Sequence, residues 1–365
     1  MNSQLVQIIK SFVQRRPQNR DIPFRIYWQQ MIKYYRFAKR FPTQKESWIH
    51  PTTYLFADIQ CVSDQLTLSA DPLDPVLIVV VKDDLRRMKE LFPHYQSIGI
   101  HQFIILDNMS SDGTRDFCAR QANTRVYTVN DPYLTEKKEA WIERVITLCG
   151  VNRWYAIADS DEFLNYYGSE HQSVQELVRL AEANGIPAVK AILLDMYRDK
   201  PLFSESDLSQ PLRKQFRYFD RDGYSSYYAR HGIQRVLIGG PRMRVMHSHE
   251  HMSKYPLLKY DKHTYLMTAH ILWRFTAKED SPFWCVCQHY KFLQEDLQTY
   301  KSRIVQKNFG AGSRGYRTII DEFESHPERT FMYSGSTEYV DSASLLCLPL
   351  QSIPWTVREE HVNDY

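Results

Sequence analysis

The stretch Trp154-Tyr-Ala-Ile-Ala-Asp159-Ser-Asp161-Glu162-Phe163 decides the fold reading, because an apolar run ends abruptly in three carboxylates. Short apolar runs of aromatic and branched residues read as buried strands. Unpaired charge is costly to desolvate, so carboxylates at such a strand's exit must reach solvent, a cation or a ligand. Asp159 and Asp161 offer hard oxygen donors of the kind that hold Mn2+ or Mg2+, ions that usually keep coordination places for phosphate oxygens. An isolated Asp-x-Asp is more often a solvated acidic junction. Its surroundings turn the reading toward a site.

Upstream, residues 75–81 form a continuous apolar run, Pro-Val-Leu-Ile-Val-Val-Val, of the kind found in central parallel strands. Leu85, Met88, Leu91, Phe92, Tyr95 and Ile98 then recur at helical spacing; Pro93 predicts a kink or restart, and Gly99 a stop. A second strand over 101–106 leads into Asp107-Asn-Met-Ser-Ser-Asp112-Gly-Thr114, a loop of turn formers and helix caps that opens a helix to about residue 121. A strand over 124–129 and a helix over 136–148 follow. Downstream, Ser173-Val-Gln-Glu176 is a capping box, Gly185 ends its helix, and a strand over 187–194 stops at Asp195. This alternation predicts an α/β, mostly parallel sheet with helices on both faces, whose ligands collect at the carboxyl ends of its strands. Lys82, Asp83, Asp107, Asp159, Asp161 and Asp195 all fall at those ends.

These motifs, in this order, resemble the GT-A glycosyltransferases, and within them the family 2-like bacterial branch and the related family 92 type. The resemblance covers about residues 76–200, with weaker echoes at Gly239-Gly-Pro-Arg242, Ser253-Lys254-Tyr-Pro, Tyr265 to His270 and Gln288-His289-Tyr-Lys291. It implies a Rossmann-like GT-A fold and a metal-dependent transfer of sugar from a nucleotide-sugar donor, UDP-linked, to a hydroxyl of a glycan or lipid-linked glycan, with inversion. It implies that Asp107 reads the uracil edge and that Lys82, Asp83 and Asp112 line the donor site. Asp159 and Asp161 would hold Mn2+ or Mg2+ against the diphosphate, His289 would complete the metal shell, and Lys291 or Arg242 would meet the diphosphate. Asp195 is the first candidate for the base that deprotonates the acceptor and Glu162 the second, with Glu250 and Asp280 as further acidic candidates. The acidic pair and the late Gln-x-x-Arg-Trp signature of inverting members are missing, which leaves the base and the stereochemistry open.

Composition bounds the reading. The chain has 365 residues, 43% hydrophobic and 24% charged, with 24 tyrosines. No run approaches the roughly 18 apolar residues of a membrane span, and the N-terminus has no apolar signal core. Six cysteines without framework spacing fit a reduced, cytoplasmic setting, and Cys285-x-Cys287 reads as a strand with one thiol on each face. The net charge of +3 hides ten Lys/Arg against Asp21 alone in residues 1–45, a local +9, so the rest carries −6. Basic residues mixed with aromatics there suit peripheral contact with an anionic inner membrane face; a helical extension packed on its own domain fits equally well. The expected organisation is a basic extension over 1–50, a nucleotide-sugar half over 51–200 and an acceptor half over 201–365. Surface-polysaccharide synthesis, in capsule or lipopolysaccharide, suits such an enzyme; nucleic acid is not an expected partner.

Two rivals use other features. His247-Ser-His249-Glu-His251 places alternating imidazoles on one strand face, as a zinc hydrolase would need. A non-catalytic glycan-binding module could keep the fold, although it would need no intact Asp159-Ser-Asp161. A dinucleotide-binding Rossmann enzyme would want a Gly-rich turn after the first strand, where this chain has Lys82-Asp-Asp-Leu-Arg86.

Overall fold

The computed structural model describes residues 3–15, 21–228, 235–268, 270–274, 284–307 and 309–349. The chain opens with three helices, α1 (Ser3–Arg15), α2 (Phe24–Arg40) and α3 (Glu46–Phe56), and an irregular strand β1 (Ile59–Asp64). The alternating part follows as β2 (Val76–Val81), α4 (Leu85–Ser97), β3 (Phe103–Asp107), α5 (Thr114–Ala119), β4 (Thr124–Val129), α6 (Thr135–Cys149) and β5 (Arg153–Asp159). After the turn at Ser160 and Asp161 come β6 (Glu162–Asn165), α7 (Val174–Ala183) and β7 (Ala188–Asp195). Shorter pieces follow: α8 (Leu212–Gln215), β8 (Tyr218–Asp220), β9 (Ser225–Tyr228), β10 (Arg235–Ile238) and α9 (Gly240–Met246). The chain continues with β11 (Ser253–Tyr260), β12 (Thr264–Thr268), β13 (Ile271–Arg274), β14 (Trp284–His289), α10 (Asp296–Gln306), α11 (Gly310–Ser325) and β15 (Ser336–Glu338).

Two packed units emerge. Residues up to Leu85, Ile100–Ile157, and those from Leu257 to the end of β13 form the first. Arg86–Gly99, Ala158–Pro256 and the described residues from Trp284 onward form the second. In the first unit the strand order is β1-β4-β3-β2-β5, with β2–β3 and β3–β4 parallel and β1 antiparallel at the edge. Every residue of β2 and β3 is buried, which is why the sequence shows continuous apolar runs rather than alternation. In the second unit β7 and β14 run parallel, and β6 pairs antiparallel with β14. The α/β class with strands flanked by helices is the observed architecture.

The N-terminal helices are not a free arm. Phe12, Tyr27, Tyr34, Phe37, Tyr54 and Tyr265 of the β12–β13 hairpin join one aromatic core of the first unit. Packing therefore accounts for most of the aromatic residues between 1 and 45, although Phe24 and Ile32 stay exposed. Among the described residues no helix is long and apolar enough to cross a membrane. Beneath this core, Glu143 on α6 is fully buried and accepts from Gln30 Nε2 and the Tyr34 hydroxyl at 2.8 Å, the Tyr260 hydroxyl at 2.9 Å and the Leu266 amide at 3.1 Å. Lys33 donates to the Tyr260 hydroxyl at 2.7 Å and to the Thr264 carbonyl at 2.8 Å. Burial pulls the Lys33 ammonium down to about 8, against the opposing pull of Glu143 and Asp261.

Elsewhere local chemistry behaves as the sequence indicates. The Ser173 amide donates to Glu176 Oε2 at 2.6 Å, closing the capping box of α7. Gly99 ends α4 at φ 98°, where an added Cβ would lie 2.6 Å from Gln175 Oε1. The helix does not restart at Pro93: α4 runs through it from Leu85 to Ser97.

Glu143→Ala leaves the donors of Gln30, Tyr34 and Leu266 unmatched in a dry interior and should cost about 3–5 kcal/mol. The double substitution Glu143→Leu with Lys33→Met should cost less than the sum of the singles, as read by urea unfolding; strict additivity would show that the two residues do not share a network. His50 and His94 are held neutral by burial, each down to about 3. The native state then binds fewer protons than the unfolded chain, whose histidines titrate near 6.5. Their contribution is complete above about pH 6.5 and drains away as pH falls toward about 3. His94→Gln should flatten that part of the stability–pH curve.

Candidate metal centre

The residues of the strongest cluster all lie in the second unit, and strand register brings them together. On β14, His289 stands opposite Asp195 of parallel β7 and opposite Glu162 of antiparallel β6. The two-residue turn after β5 carries Asp161, whose carbonyl accepts from the Tyr290 amide at 2.9 Å. Among the described residues, Asp161, Glu162 and His289 each present a ligand atom within 4.8 Å of the others. Asp159 is not a member of this group; its carboxylate accepts from Lys254 Nζ at 3.1 Å.

His289 is oriented from behind. Its Nδ1 lies 2.7 Å from Asp195 Oδ1, and its Nε2 3.3 Å from Asp161 Oδ2. Asp195 is fully buried and also accepts from Arg242 Nε at 2.7 Å. Burial works against ionisation of Asp195, but Arg242 and His289 outweigh it and hold the carboxyl at about 2. The same balance at Asp161, with burial opposed mainly by His289, leaves its carboxyl well below the usual range. Burial lowers His289, and the flanking Asp161 and Asp195 more than reverse this, so its pKa is raised.

Glu162 is buried and tied to the turn it follows. Its Oε2 accepts from the Asp159 amide at 3.1 Å, and its carbonyl from the Tyr95 hydroxyl at 3.1 Å. Lys254 Nζ lies 2.5 and 2.6 Å from the two carboxylate oxygens. Arg87 on α4 fixes the next segment, donating to the Tyr290 carbonyl at 3.0 and 2.8 Å and to Asp296. Lys291 places its ammonium 4.8 Å from the centre of the Tyr316 ring.

Donor chemistry fits a divalent ion: two carboxylates and an imidazole whose far nitrogen is fixed by a third carboxylate, the arrangement that orients histidine ligands. Asp161, Glu162 and His289 would hold it, with Asp195 behind His289. Lys254 is the functional neighbour that sequence reasoning missed. Its neighbours in sequence give no sign of its partner, which only the fold brings beside it.

The remaining expected residues belong to the first unit. Asp107 ends β3 fully buried; its Oδ2 accepts from the Ser110 amide at 3.2 Å, while Oδ1 has no hydrogen-bond partner among the described residues. Asp83, at φ 48°, accepts from the Ser111 amide at 2.6 Å and staples the loop after β3. Asp112 accepts from the Leu85 amide at 3.0 Å and the Thr114 amide at 2.9 Å, the first residues of α4 and α5. Lys82 is exposed.

Other expectations resolve differently. Arg242, a candidate for the diphosphate, is engaged with Asp195 and is buried. His247, His249 and His251 form no cluster of ligand atoms among the described residues; His251 Nε2 lies 2.8 Å from the Tyr227 hydroxyl. Glu250 is exposed, and Asp280 lies outside the described residues. Cys285 and Cys287 lie in strand β14, both buried and free; two residues apart on one strand, they share a face instead of taking one each as expected.

No protein-family model matches the chain, and no curated protein matches it. Among solved structures it is similar to a UDP-glucose pyrophosphorylase complexed with UDP-glucose, at a TM-score of 0.26 and 8% identity, covering 68% of this chain and 87% of that one. It is also similar to the mannosyltransferase PcManGT from Pyrobaculum calidifontis in complex with GDP-Man and Mn2+, at a TM-score of 0.27 and 10% identity, covering 87% of this chain and 81% of that one. Similarity at this level carries no assignment of activity.

Proposed function

We propose that this chain is a metal-dependent glycosyltransferase that moves a sugar from a nucleotide-sugar donor, UDP-linked, to a hydroxyl of a glycan acceptor in surface-polysaccharide synthesis. The observation that carries the reading is the cluster of Asp161, Glu162 and His289, with His289 fixed by Asp195, where an apolar strand ends in the Asp159-Ser-Asp161 turn. When bound, Mn2+ would neutralise charge developing on a diphosphate leaving group. Asp161, Glu162 and His289 would hold the ion, and Glu162 also braces the turn that presents Asp161 through the Asp159 amide. In the first unit, the unpartnered Oδ1 of Asp107 supports a role as acceptor for a base-edge N–H, since a buried carboxylate oxygen left unpaired is costly.

Asp195 takes a different part from the acceptor base that its strand-end position suggests. A fully buried carboxylate held at about 2 between Arg242 and His289 is poorly suited to accept a proton, and it serves as the positioning residue for His289. Asp195→Asn should weaken Mn2+ binding by ~10–100-fold, as removal of other outer-shell partners does. Unchanged Mn2+ affinity with a collapsed turnover would return Asp195 to the role of base.

The reading itself is tested by melting the protein with UDP, GDP, CDP or ADP, each in Mn2+ and in EDTA. One nucleoside diphosphate should raise the melting temperature only with Mn2+, because a ligand selective for the native state stabilises it by mass action. Asp161→Ala should abolish that shift while leaving the unliganded transition in place. A nucleotide shift of equal size in EDTA would remove the metal from the function, and no shift with any nucleotide would remove the donor.

A further inference from the structure

The position of Lys254 adds a constraint that depends on the metal-dependent reading above. Its ammonium lies 2.5 and 2.6 Å from the two oxygens of Glu162 and 3.1 Å from Asp159 Oδ2. The Lys254 and Glu162 side chains are only 6% and 3% exposed. Glu162 is also one of the three groups whose ligand atoms gather within 4.8 Å. The same carboxylate therefore faces the Lys254 ammonium and would be shared with any divalent ion bound at the cluster.

We infer that Lys254 is a displaceable counter-cation: it holds Glu162 while the site lacks an ion and yields it when a divalent ion binds. A buried carboxylate without a partner would be strongly destabilising, so the lysine lets the site stay folded without metal. An ammonium and a dication a few ångströms apart repel strongly at the effective dielectric of protein sites, so both cannot hold Glu162 at full strength. Lysine suits the task, being a compact charge on a flexible stem, whereas arginine would grip the carboxylate through two parallel bonds. Asp161 and His289 are then the constant ligands, and Lys254 sets how tightly the ion is held.

The test is Mn2+ binding by isothermal titration calorimetry, without nucleotide, for the wild-type protein, Lys254→Met and Lys254→Arg. Lys254→Met should bind Mn2+ about tenfold or more tightly than wild type, since it removes the competing charge at nearly constant shape. Lys254→Arg, which keeps the fold's ion pair, should bind several-fold more weakly, by about the added strength of a bidentate contact. Equal affinity for wild type and Lys254→Met, or weaker binding by Lys254→Met, overturns the inference while the metal centre stands. Should Lys254→Met fail to fold, unchanged affinity in Lys254→Arg overturns it. No heat of Mn2+ binding in wild type or in either variant overturns the metal reading itself.

Discussion

The second unit depends on a register. His289 stands between Asp195 and Glu162 because β14 is hydrogen-bonded on one side to β7 and on the other to β6, residue against residue. Side chains alternate across a sheet, so a slip of one residue in β14 would turn His289 to the opposite face and bring Gln288 into its place. The turn bearing Asp161 is held to the same strand end, through the bond from the Tyr290 amide. Arg87 then clamps Tyr290 and Asp296 from α4. The candidate metal centre thus takes Glu162 and His289 from strand ends and Asp161 from the turn between β5 and β6.

Both units solve the same electrostatic problem. Each buries acids that a protein interior would normally reject, and each surrounds them with hydrogen-bond donors. In the second unit Asp195 has Arg242, Glu162 has Lys254 and Asp161 has His289. In the first, Glu143 has tyrosine hydroxyls, an amide group and a backbone N–H, with Lys33 one hydroxyl away. Such arrangements add little net stability over apolar packing, but breaking one leaves an exposed cost. Their value lies in fixing geometry: a carboxylate bound on two sides cannot swing.

The elements that sequence made legible were those with a single dominant signal. Val76–Val81 is apolar throughout, Thr124–Val129 is rich in β-branched residues, and Ser173 with Glu176 announces its helix locally. β1 was invisible because Ile59–Asp64 is a half-exposed edge with no alternation to read. The N-terminal helices were legible as amphipathic, yet their partner, the β12–β13 hairpin, lies over 200 residues away and leaves no mark on them. At the site, Asp161 and His289 stood out by residue type and position. Lys254 did not, because a lysine declares its partner only when register is known.

The first unit is assembled from three separate stretches of chain, and this has a consequence for how it forms. Glu143 meets the Leu266 amide across 123 residues, and Lys33 meets Thr264 across 231. During synthesis from the N-terminus, α1, α2 and α3 emerge long before the hairpin that completes their aromatic core. Their apolar faces must wait, collapsed among themselves or guarded by other proteins, while the whole segment from 158 to 256 is made. Contacts of such long range slow folding, because loop closure has to precede the packing that rewards it. The interleaving that lets β11 pass from one unit into the other therefore makes the last third of the chain the step that finishes the first.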